Sequence, residues 1–200
     1  MIEIKGLSFA HGKNQIFTGF DAVIQDKCAT LLTGPNGSGK TTLLQLIGGV
    51  LKPSAGSIEI NGQKVTSLSS KEQAQIRSIA PQRRIFELAF TVEEILAIIK
   101  PNNREHHADA VIDALDLRQI FTFKITELSL GQQQRVSVAL ALIQHADFYL
   151  LDEPFSAQDS EYTQKLLDLI ALLSKETGVL VISHNTGLIA QYFSERIELA

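Results

Sequence analysis

Cysteine is almost missing from this sequence: Cys28 stands alone among 200 residues. One thiol excludes a disulfide framework and the repeated Cys/His spacing of a structural zinc site. Within the predicted strand 28–33, Cys28 reads as a small apolar core residue. No apolar run comes near the ~20 residues that cross a bilayer. The opening Met1-Ile2-Glu3-Ile4-Lys5 lacks the pattern of a secretory signal, so a cytoplasmic chain is expected. Net charge is only −4 with the signs interspersed, which leaves no basic footprint for nucleic acid or anionic lipid. Internal repeats and low-complexity segments are also missing. What remains is a globular composition, 44% hydrophobic and 20% charged. The length suits one well-buried domain over residues 1–200, with room for a small subdomain but not for a second full domain.

The most informative stretch is Thr33-Gly34-Pro35-Asn36-Gly37-Ser38-Gly39-Lys40-Thr41-Thr42, a Gly-x-x-x-x-Gly-Lys-Thr loop. Before it, Cys28-Ala29-Thr30-Leu31-Leu32-Thr33 has the length and β-branched content of a buried strand. After it, Thr42 to Ile47 has good helix formers at apolar spacing. Glycines between such a strand and helix let successive N–H groups turn inward on an anion, and the helix adds its positive dipole end. The motif predicts a phosphate cradle in which Lys40 meets the β- and γ-phosphates and the Thr41 hydroxyl ligates Mg²⁺.

Residues 2–9, 20–24 and 56–60 predict a small antiparallel sheet beside this loop. His11 lies in the first turn, where it either stacks on a nucleotide base or is a solvated turn histidine. Residues 71–75 look helical, and Ile76 to Ala80 is a short strand stopped by Pro81 and followed by Gln82. From Thr91 to about Leu117 the pattern is helical, with a capping-box-like Thr91-Val92-Glu93-Glu94 and a break at Lys100-Pro101-Asn102-Asn103. His106, His107 and Asp109 read as the solvated start of a helix rather than a metal site. This section predicts a helical insert, roughly 86–145, in an α/β core.

Leu128-Ser129-Leu130-Gly131-Gln132 opens a helix running to His145 and is either a second anion site or a capped helix start. Phe148-Tyr149-Leu150-Leu151-Asp152-Glu153 reads as a strand covered on both faces that ends in two carboxylates, where open α/β sheets bind ligands. Asp152 is expected to hold Mg²⁺ and Glu153 to take a proton from an attacking water. A helix over 162–174, a buried strand over 178–182 ending at Ser183-His184, a final helix near 186–193 and a last run at 196–199 complete the reading.

Taken in order, the loop at 34–41, Gln82, Leu128 to Gln132, Asp152-Glu153 and His184 resemble the nucleotide-binding subunit of an ABC transporter over nearly all 200 residues. Val65 to Glu72, Ile79 to Gln82 and Phe90 to Glu94 resemble the importers of iron chelates, heme and cobalamin. The resemblance implies a P-loop NTPase core with a mostly parallel sheet, an N-terminal antiparallel β-subdomain and a helical insert subdomain. It implies ATP and Mg²⁺ as cofactors, with Thr41, Gln82 and Asp152 at the metal. Gly34 to Thr42 would hold the phosphates and His11 the base. Glu153, His184, Gln82 and Lys40 would serve the hydrolysis step, and Ser129, Gly131 and Gln132 would reach the nucleotide of a second copy in an ATP-sandwich dimer. Three positions depart from the family pattern: Leu130 stands where a glycine is usual, Gln158 where a leucine is usual in the loop 156–159, and His11 where a tyrosine is usual.

By the same resemblance, the partners are a second copy of the chain, a membrane-spanning permease near Arg83-Arg84-Ile85-Phe86 and, for import, a substrate-binding protein. Nucleic acid is not among them. The expected location is the cytoplasmic face of the membrane. The alternatives are a soluble ABC ATPase of iron–sulfur cluster assembly, which has a similar layout, and an exporter subunit. A DNA-repair ATPase would need a coiled-coil insertion for which residues 43–127 leave no room.

Overall fold

A computed structural model describes residues 1–99, 105–184, 187 and 189–200. The chain begins with an antiparallel hairpin, β1 (Ile2–His11) and β2 (Asn14–Ile24), turned at Gly12-Lys13. A buried strand, β3 (Ala29–Thr33), and a helix, α1 (Lys40–Ile47), follow. Next come β4 (Ala55–Ile60) and β5 (Gln63–Lys64), joined by Asn61 and Gly62 at φ 51° and 76°. Positive φ at both centre positions is the tight-turn geometry that suits strand twist, and Asn-Gly supplies it with little strain. The strands order as β2-β1-β4-β5, the expected antiparallel sheet with one strand more than anticipated.

Helix α2 (Ser70–Ile76) leads into β6 (Arg77–Ala80). Helices α3 (Val92–Ile99), α4 (Glu105–Ala114) and α5 (Leu130–Ile143) then precede β7 (Phe148–Asp152). The chain continues through α6 (Ser160–Leu173), β8 (Gly178–Ile182) and β9 (Glu195–Glu198). The second sheet is parallel, in the order β6-β7-β8-β3-β9. Its three middle strands are buried along their whole length, which is why they read as continuous apolar runs.

Period-two alternation divides these strands between two cores. Leu32, Leu150 and Leu180 face α1 and the antiparallel sheet. Leu31, Leu151 and Val181 face the helices, among them the buried length of α5 from Val136 to Ile143. The register sets Leu32, Ile182 and Asp152 side by side, so β3, β8 and β7 end along one edge of the sheet.

Several expectations are corrected. Strand β2 begins at Asn14, not Phe20; residues 14–19 are largely exposed and lack a clean apolar period. Cys28 sits just before β3, half-buried, with Sγ 3.5 Å from the Ser194 hydroxyl. His107 is not merely solvated, because its Nε2 lies 2.8 Å from the Leu142 carbonyl and ties α4 to α5. Asp109 is ion-paired with Arg118, and the described residues hold no metal-ligand cluster. The predicted break at 100–103 lies outside the described residues. Of the helix expected near 186–193, only a 3₁₀ turn at Ala190–Tyr192 is described, and residues 185, 186 and 188 lie outside the described set.

Gly178 is opposite Phe148 across β7 and β8, with the ring folded over it. A Cβ at 178 would lie 2.2 Å from Phe148 Cε1. Gly178→Ala is therefore expected to lower unfolding stability by about 1–3 kcal/mol through overpacking, read as a lower urea midpoint at unchanged slope.

Candidate functional site

The loop between β3 and α1 is shaped by its neighbours before any ligand arrives. Gly34 has φ 149°, and a Cβ there would meet the Leu199 carbonyl and Ser38 Oγ at 2.7 Å. Gly39 has φ 94°, and its Cβ would lie 2.6 Å from Ile16 Cγ2 and 2.9 Å from Phe17 Cζ. Gly39 caps α1 without a side-chain acceptor, so the first-turn N–H groups of the helix point into the cleft as free donors. Lys40 is folded back, its Nζ donating to the carbonyls of Gly34 and Pro35 at 2.8 Å each. A buried ammonium satisfied by two carbonyls is a cation held ready for stronger, anionic acceptors.

Facing this loop are the ends of β7 and β8. A cleft of about 240 Å³ is lined by Asn36, Gly37 and Gly39 to Thr42 on one side, and by Gln82, Asp152 and Glu153 on the other. Asp152 is buried, and its Oδ1 has no hydrogen-bond partner. Burial pushes its carboxyl up to about 6, with the negative charge of Glu153 adding to the shift and the Thr41 hydroxyl and Lys40 opposing it. A desolvated carboxylate with an orphaned oxygen, next to a threonine hydroxyl, suits a divalent cation.

Glu153 takes the left-handed conformation at φ 50°, rare for a side chain of this size, and its N–H donates to the Ile182 carbonyl at 3.0 Å. Such a backbone costs of order 1–3 kcal/mol, and here it turns the carboxylate back over the cleft. Glu153 Oε2 lies 2.9 Å from His184 Nδ1. The carboxylate is buried while the imidazole is largely exposed. The structure thus brings together the loop, Gln82, Asp152 and Glu153 around the cleft, with His184 joined to it through Glu153.

Ser129, Gly131 and Gln132 are elsewhere. Ser129 caps α5: its Oγ accepts from the Gln132 N–H at 3.3 Å, while Gln132 Oε1 accepts from the Ser129 N–H at 3.0 Å. The serine hydroxyl keeps its own proton to donate, and the N–H groups of Leu130 and Gly131, at the first two helical positions, have no intrahelical partner. Leu130 is 72% exposed. None of these residues lines the phosphate cleft. His11 also lies outside its lining; it is at the hairpin tip, edge-on to Phe9 at 4.8 Å.

Two contributions escaped the sequence reading. Ile16 lines the cleft and presses on Gly39 from a stretch that carries no strand signal. Arg135 joins α5 to the loop 156–159 through Gln158 and Asp159, and its guanidinium lies 4.5 Å over the Tyr162 ring. The sequence showed only a polar residue on a helix.

Residues 18–156 match the profile of the ABC transporter family. The ABC transporter ATP-binding protein YvrA of Bacillus subtilis is 33% identical over 193 residues, which are 91% of this chain and 44% of that one. The hemin import ATP-binding protein HmuV of Rhizobium meliloti is 33% identical over 207 residues, covering 96% of this chain and 79% of its own. An ATP-binding cassette solved as a dimer in a post-hydrolysis state with ADP and Pi superposes over 100% of this chain and 94% of its own, with a TM-score of 0.84 and 25% identity. The match spans the phosphate loop, the helix end at Ser129 and both carboxylates, and on that ground the chain belongs to the ABC transporter family, as an ATP-hydrolysing subunit.

Proposed function

We propose that two copies of this chain close head to tail on two ATP molecules, each held between the phosphate cleft of one copy and the Ser129-to-Gly131 helix end of the other. The observation that carries this reading is the separation of the two donor sets within one chain: the cleft of Lys40, Asp152 and Glu153 excludes Ser129 and Gly131. The dimeric form of a solved relative supports the pairing. Residues 1–200 are read as one ABC ATPase domain, with a helical insert at roughly 86–145.

On this reading Lys40 exchanges the carbonyls of Gly34 and Pro35 for phosphate oxygens, and the amides of Asn36 to Thr42 cradle the chain of phosphates. Thr41, Gln82 and Asp152 would hold Mg²⁺, which would supply charge neutralisation for the triphosphate. Glu153 accepts the proton of a water lying in line with the γ-phosphate, and its hydrogen bond to His184 keeps the carboxylate aimed. The other ring nitrogen of His184 faces the γ-phosphate. The partner's Ser129 hydroxyl and Gly131 N–H meet the same oxygens, Gln132 fixes Ser129 through the cap, and His11 faces the base. Once the bridging phosphate is cleaved, the shared contacts are lost and the copies separate.

The membrane side of this reading rests on residues 83–90, where Ile85 and Leu88 are exposed while Phe86 packs inward. This segment adjoins Gln82, so a short permease helix seated there senses the cleft. No described helix is long and apolar enough to cross a membrane, and on this reading the spans are those of the permease. The chain acts at the cytoplasmic face. Its resemblance to importers, among them the hemin importer subunit HmuV, supports import of an iron chelate, heme or cobalamin with a substrate-binding protein.

Glu153→Gln is expected to bind ATP, to lose about 10²–10⁴-fold in turnover and to accumulate as an ATP-bound dimer in sedimentation. Hydrolysis at the parent rate would refute Glu153 as the base. Lys40→Ala is expected to lose ATP binding by calorimetry, and unchanged affinity would remove the cradle. A third expectation concerns pH. Asp152 ionises near its ordinary value when unfolded but at about 6 when folded, so its ionisation penalises the ligand-free fold as pH rises from about 4 through 6. Asp152→Asn, without nucleotide or metal, should therefore gain stability over the parent at pH 7.5 and less at pH 5, read by urea unfolding. A difference that does not grow with pH would show that Asp152 carries no such penalty.

A further inference from the structure

Gln158 occupies a turn pressed against the start of α5. Ala157 before it has φ 58°, and its carbonyl lies 3.1 Å from where a Cβ on Gly131 would stand. The Gln158 carboxamide bridges two points one helical turn apart: its Nε2 donates to the Gly131 carbonyl at 2.9 Å, and its Oε1 accepts from Arg135 Nε at 2.8 Å. The amide orientation is dictated by its partners, because a guanidinium can only donate and a carbonyl can only accept. Arg135 is itself held by Asp159 at 2.8 Å, and Asp159 caps α6 by accepting from the Tyr162 N–H at 2.7 Å.

We infer that Gln158 is a positioning residue that locks the Ser129-to-Gly131 helix end to the loop 156–159 of the same chain, so that both present to a second copy as one rigid surface. The inference rests on the two-copy reading above. Gln158 lines no part of the phosphate cleft, so it acts on closure and not on the first capture of ATP. Both ends of its carboxamide are used, so the role is specific to an amide. A leucine would leave Arg135 Nε without this acceptor, and a glutamate would set a carboxylate oxygen against the Gly131 carbonyl. With the lock open, the helix end must be ordered during closure, and that entropy opposes pairing.

The test uses the full chain carrying Glu153→Gln, alone and combined with Gln158→Leu or Gln158→Glu. Without nucleotide, hydrogen exchange at the amides of 132–135 is expected to speed up several-fold in both combinations. The ATP concentration for half-maximal dimer in sedimentation is expected to rise about tenfold, while ATP affinity at protein concentrations too low to pair shifts less than twofold. Unchanged exchange would overturn the lock. Faster exchange with dimerisation within twofold of the parent would overturn its role in closure. A general folding defect would lower ATP affinity as well and also count against the inference. If the Glu153→Gln parent itself fails to dimerise with ATP, the two-copy reading falls and the closure role with it, whereas the exchange result still separates the lock from that failure.

Discussion

Parallel pairing of β3, β8 and β7 is the constraint on which the rest depends. Their register places Leu32, Ile182 and Asp152 in one row, so the three strands stop together and hand over to three functional segments. The phosphate loop leaves β3, the carboxylate pair leaves β7, and Ser183-His184 leaves β8. Even the strained peptide at Glu153 is pinned across this edge, through its N–H to the Ile182 carbonyl. A one-step slip of β7 would carry Asp152 away from Thr41 and reverse which faces of the strand meet the two cores.

The ligand-free site is held in a self-satisfied but uncomfortable arrangement. Lys40 has two carbonyls where it is suited to phosphate oxygens, and Asp152 keeps one oxygen unpaired in a buried position. Glu153 sits in a backbone conformation that few glutamates adopt. On the two-copy reading proposed above, a magnesium-bound triphosphate would relieve or exploit each of these, which is the sense in which the site is preorganised. Ser129 differs, since its capping contacts are complete within the chain and still leave the hydroxyl proton to give.

Much of this was legible from local pattern. The strand–loop–helix unit at 29–47 and the carboxylates at 152–153 announce themselves, because buried parallel strands must be apolar throughout and phosphate loops need glycine. The edges of elements were harder to read. Residues 14–19 form strand through pairing with β1, a tertiary contact that their mixed sequence does not signal. Cys28 looked like strand because it adjoins one. Long-range partnerships, such as His107 with Leu142 or Arg135 with Gln158, join residues 35 and 23 positions apart, and no local periodicity encodes them.

The contact between the hairpin and the phosphate loop has one more consequence. Ile16 and Phe17 leave no volume for a side chain at 39, so the width of the loop is set by β2 as well as by the glycines within it. Positions 16, 17 and 39 therefore form a single unit of inheritance: glycine at 39 is required by its φ of 94° as well as by this contact, and a bulkier residue at 16 or 17 would press on the loop backbone. The antiparallel sheet, which carries no reacting group, thereby governs which loop sequences this scaffold can explore.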